Sequence, residues 1–123
     1  MTVKDIEGVL LLAHGAPETP DEIPSFLARV RRGRPAPQPM VRAYEARYRT
    51  IGGRSPMVET TRRITSALAQ RLGRPVFLGT RHSQPTISRA LHRARSAGIR
   101  HLIAICLTPY EGRFTTAAYR GAV

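Results

Sequence analysis

Hydrophobic and polar positions along the chain follow two periods. Residues 8–12, GVLLL, form an unbroken apolar run that stops at His14, Gly15, Ala16 and Pro17. An apolar run of this length bounded by glycine and proline predicts a strand covered on both faces, as in a parallel sheet. Two later segments, PVFLGT and HLIAICLTP, read as further strands. Between them the period lengthens to that of a helix. Thr19, Pro20 and Glu22 stand at the N-cap, first and third positions of a helix start, and Ile23, Phe26, Leu27 and Val30 then share one face, with Pro24 confined to the first turn.

The basic turn RRGRPAPQP is a loop, since glycine and proline interrupt it repeatedly. Pro39 opens a second helix carrying Met40, Val41, Tyr44, Tyr48 and Ile51, which stops at Gly52 and Gly53. A third begins with Ser55 as cap and Pro56 as first residue, its apolar side drawn by Ile64, Leu68 and Leu72. QPTISRALHRARSAG is a fourth, closed by Gly98. The order strand, helices, strand, helix, strand predicts an α/β fold, a parallel sheet flanked by helices. At 123 residues the chain is expected to be one domain, 1–123.

Composition narrows the possibilities. No stretch approaches the run of about 20 apolar residues that a membrane span needs, and the N-terminus is acidic where a signal peptide is basic; a cytoplasmic protein is expected. Cys106, the single cysteine, lies in an apolar strand and reads as a small buried hydrophobe. The net charge of +12 is almost entirely arginine, Lys4 being the only lysine. Arginine suits bidentate recognition of carboxylate or phosphate, but genomic composition is an equal source of such enrichment, and the charge is spread along the chain. With no zinc-finger spacing, no Walker loop and aromatics at 6%, a nucleic-acid partner is not expected.

Ligands of open parallel sheets bind outside the carboxyl ends of the strands. The first strand ends at His14, the second just before Arg81 and His82, the third at Pro109 and Tyr110, so these groups are expected on one rim.

The segments LLLAHGAP, VRRGRPAP, RYRTIGGRSPM, FLGTRHSQPTI and AICLTPYEGRFTTAAY occur in the order and spacing of the N-terminal half of ferrochelatases, which insert ferrous iron into a porphyrin. The chain resembles most closely the coproporphyrin ferrochelatases of Gram-positive bacteria. The likeness implies a Rossmann-like chelatase half-domain. It also implies porphyrin or haem as partner, ferrous iron and porphyrin (coproporphyrin III) as substrates, and no required cofactor. Carried over by position, His14 faces the porphyrin iron as an axial group where similar enzymes often have tyrosine. Arg31, Arg47, Tyr48, Ser55 and Tyr119 match porphyrin contacts. Arg81 and His82 match a basic dipeptide near the metal entry, His82 being the candidate for catalysis.

Two features depart from a whole ferrochelatase. Family members are longer, with two similar halves around the porphyrin, and the histidine and glutamate assigned to iron binding and proton removal belong to the C-terminal half. TTAAYRGAV reads as the first turns of a helix with no stop signal before Val123. The expectation is therefore an N-terminal half, working with a C-terminal half or with a second copy. The alternatives are a non-catalytic tetrapyrrole-binding module and a half-length homodimeric chelatase, a reading the histidine-glycine pair at 14–15 also suggests by its likeness to short cobalt chelatases.

Overall fold

The computed structural model describes residues 7–108 and 116–123. Strand β1 (Glu7–Ala13) is followed by a 3-10 turn at Pro20–Glu22 and by helices α1 (Ile23–Val30), α2 (Gln38–Thr50) and α3 (Pro56–Leu72). Then come β2 (Val76–Thr80), α4 (Ile87–Ser96), β3 (His101–Cys106) and α5 (Thr116–Ala122). The sheet order is β2-β1-β3 and both pairings are parallel. The fold is thus the expected α/β arrangement, a parallel sheet flanked by helices, with all three carboxyl ends on one rim.

The middle strand explains the apolar run. Register places Leu10 beside Phe77 and Ala104, and Leu12 beside Gly79 and Cys106. Leu10 and Leu12 face Ile87 and Ala90 of α4 and Tyr119 of α5 in one core cluster. Val9, Leu11 and Ala13, on the opposite face, are buried as well. A second cluster joins Ile23, Phe26 and Leu27 of α1 to Val41 and Tyr48 of α2.

Helix boundaries follow local chemistry. The Ser55 hydroxyl accepts the Met57 N–H at 3.3 Å and Gly73 ends α3 in the left-handed region. Thr86 caps α4 by accepting the Arg89 N–H at 3.1 Å. At the first turn the Glu22 carboxylate accepts the Thr19 N–H, while the Thr19 hydroxyl bonds Asp21; the turn there is 3-10, and the α-helix starts only at Ile23.

Three expectations need correction. The inward side of α3 is not the Ile64-Leu72 stripe, because both are exposed and no residue of α3 is fully buried. Val58, Thr61, Thr65, Leu68 and Ala69 are the half-buried set, at helical spacing, since α3 packs chiefly on an edge strand, β2. Cys106, read as a small buried hydrophobe, is half-buried, because β3 is an edge strand on which Ile103 and Ile105 are exposed as well. Val30 and Ile51 also lie exposed at helix ends.

Candidate functional site: a cleft at the strand ends

The β1-β2 ladder runs past the last strand residues. Arg81 N–H donates to the Ala13 carbonyl at 3.0 Å and His82 N–H to the His14 carbonyl at 3.1 Å. These two bonds carry both sequence-predicted histidines to the rim side by side, ring centroids 4.7 Å apart and edge to face. Phe26 of α1 completes the group, 5.9 Å from His14 and 6.2 Å from His82. Pro109 and Tyr110, expected on the same rim, lie outside the described residues.

The two imidazoles differ in environment. His14 is exposed, and its Nδ1 sits 3.1 Å from the Gly15 carbonyl. A carbonyl only accepts, so Nδ1 carries the proton of the neutral ring and Nε2 keeps its lone pair. His82 is buried. Burial first, then the neighbouring His14, Arg81 and Arg29, push its pKa down to about 4, which leaves it neutral at physiological pH.

Beside His14 opens a mainly apolar cleft of about 250 Å³, lined among others by Met57, Thr61, Leu78, Ser83 and Leu107. Gly15, at φ +89°, lets the chain leave the strand there; a Cβ on it would strike the Ser83 side chain. Thr80, buried, holds the opposite loop by donating to the Ser83 carbonyl at 2.6 Å. Arg62 reaches the cleft from α3 and lies 3.5 Å from Glu18, which also pairs with Arg54 at 2.9 Å.

Of the other sequence-predicted contacts, Ser55 is nearest this cleft along the chain, because the helix it caps brings Met57 and Thr61 to the wall. Tyr48 is buried and its hydroxyl donates to the Pro17 carbonyl at 2.7 Å, burial pushing its pKa up. Tyr119 is buried in the core below the guanidinium of Arg81, 5.8 Å from its ring centre, and burial again raises its pKa. Arg47 stacks over Tyr44 at 5.1 Å. Arg31 follows α1, and its Nε is buried without a hydrogen-bond partner. None of these last four lines the cleft itself. Sequence reasoning missed Met57, Thr61 and Arg62. Their signal is positional: a helix whose N-terminus is fixed at Ser55 and Pro56, next to a strand-end rim, must offer its first two turns to that rim.

The family model described as Ferrochelatase matches residues 6–123. The chain belongs to the ferrochelatase family. It is 38% identical over 115 residues to the ferrochelatase of Acidobacterium capsulatum, covering 94% of this chain and 35% of that protein. It is 33% identical over 124 residues to the coproporphyrin III ferrochelatase of Geobacillus kaustophilus, covering 95% and 39%. The ferrochelatase of Deinococcus radiodurans is 38% identical over 118 residues, covering 92% and 37%. This ferrochelatase-family chain thus spans well under half the length of these relatives, and the resemblance carried by its motifs is borne out. Among its described residues no helix is long and apolar enough to cross a membrane.

Proposed function

We propose that this chain forms the tetrapyrrole-binding wall of a ferrochelatase, a lyase of haem biosynthesis that inserts ferrous iron into a porphyrin, with coproporphyrin III as the preferred ring, in the cytoplasm. The observation that carries the reading is His14: an exposed imidazole, its Nδ1 against the Gly15 carbonyl, standing at the mouth of an apolar cleft where three parallel strands end. A flat macrocycle lying against that wall would meet Met57, Leu78 and Leu107 with its apolar surface. His14 would face the metal from one side.

The anionic side chains of the ring need cationic partners. Arg31 supports that role, because a buried guanidinium N–H without an acceptor is costly and a propionate carboxylate is the acceptor it fits. Arg47 is the second candidate. Insertion replaces two pyrrole N–H protons by one ferrous ion, so two protons must leave. We assign proton removal to a C-terminal half or a second copy facing this wall, because the family resemblance places the histidine and glutamate of that step in the C-terminal half.

Fluorescence-quenching titration with coproporphyrin III tests the reading. Arg31→Ala and Arg47→Ala should each weaken binding by about 1.5–3 kcal/mol, as for a hydrogen bond to a charged group. Arg100→Ala, just before β3 at the far end of the sheet, should have no effect. Equal losses at all three would mean that net positive charge, and no built site, attracts the ring.

A further inference from the structure

His82 is held at both of its peptide groups. Its N–H donates to His14 at the end of β1, and its carbonyl accepts from Arg29 Nε at 2.8 Å. Arg29 lies in the last turn of α1, three residues after Phe26, whose ring packs against the His82 imidazole. One face of one helix therefore supplies an apolar wall to the His82 side chain and a charged donor to its backbone. The loop that follows is secured separately, through Thr80 to Ser83 and to the Pro85 carbonyl.

We propose that Arg29 is a positioning residue of the cleft, which clamps His82 between α1 and β1 and so fixes its imidazole edge to face with His14. The assignment rests on the tetrapyrrole reading only for its consequence, namely that a misplaced His82 disturbs the His14 face presented to the ring. A hydrogen bond from guanidinium to a partly buried carbonyl is charge-assisted and stronger than a neutral one. It also joins residues 53 apart in sequence, tying α1 to the loop that follows β2. Removing it leaves the His82 carbonyl without this donor and α1 free to shift against the rim.

The test uses nuclear magnetic resonance on the 123-residue chain, reading the ring protons of His82 and His14. In the parent, His82 should show ring-current shifts from Phe26 and His14. In Arg29→Ala these shifts should collapse toward the values of exposed His92 and His101, and Arg29→Lys, which keeps a cationic donor, should restore part of them. Unmoved His82 signals in Arg29→Ala overturn the proposal. Should that variant not fold, Arg29→Gln, whose shorter amide cannot span the gap, is read by the same criterion.

Coproporphyrin III quenching on the same samples reads the consequence. Arg29→Ala should bind roughly 2- to 10-fold more weakly, the range one hydrogen bond controls, while Arg100→Ala is unchanged. Displaced His82 signals with unchanged affinity would overturn the positioning role. A parent that binds no porphyrin, with His82 still displaced in the variant, would instead overturn the tetrapyrrole reading and leave the clamp standing.

Discussion

Tyr48 Oη and the Pro17 carbonyl are joined by a buried 2.7 Å hydrogen bond that pins helix α2 to the loop leaving His14. Family likeness implies that this tyrosine touches porphyrin, whereas its hydroxyl already has a protein acceptor. Tyr48→Phe should cost about 1–3 kcal/mol of stability, because it strands a buried carbonyl. Denaturant unfolding checks this. A variant of unchanged midpoint that binds coproporphyrin III poorly would return Tyr48 to the ligand.

His82 makes stability pH-dependent. Its pKa is about 4 in the folded chain against an ordinary 6.5, the largest cause being burial. Between those values the unfolded chain binds the extra proton, so acid favours unfolding. The contribution is complete above about pH 6.5 and is lost as pH falls toward 4. Urea midpoints measured from pH 7 down to pH 4 should decline more steeply in the parent than in His82→Gln, which cannot take up a proton. Parallel slopes would show that His82 titrates as an exposed histidine.

Close packing at Gly79 gives a third prediction. A Cβ there would lie 2.9 Å from Ile87 Cα, backbone that cannot swing aside, so α4 would have to lift off the sheet. Gly79→Ala should destabilise by about 1–3 kcal/mol, as overpacking does. Gly121→Ala meets nothing within 4 Å and lies in α5; it should be neutral or gain up to about 1 kcal/mol through reduced chain entropy. Thermal melts of both variants decide, and equal effects would contradict the helix-sheet contact.

What could be read from the chain depended on how local its cause was. The β1 run, the Ser55 cap and the glycine stops are set by neighbours in sequence, and each stands where expected. The exposure of Ile103 and Ile105 follows from strand order, which an apolar run does not encode: the same pattern serves a central strand and an edge whose outer face is open. For α3 the period was right and the phase wrong, because threonines at 61 and 65 turn inward in place of Ile64. Both rim histidines were legible as strand endings. Their unlike character was not, since the walls that bury His82 come from α1, more than fifty residues away.

His14 provides the last prediction. Its Nδ1 is engaged by the Gly15 carbonyl and the ring is exposed, which leaves Nε2 of the neutral imidazole as the nitrogen that can coordinate iron. His82, by contrast, is buried beneath Phe26 and His14 and cannot reach a ring lying in the cleft without moving. Haem added to the chain should therefore give the absorption spectrum of imidazole-ligated iron. His14→Ala should abolish that spectrum, free imidazole in solution should restore it, and His82→Ala should keep it. Gly15→Ala should weaken it too, since a side chain at φ +89° is strained and would strike Ser83, displacing the loop that aims His14. A spectrum that survives His14→Ala and disappears in His82→Ala would reverse the two roles, and would require the Arg29 clamp to open when haem binds.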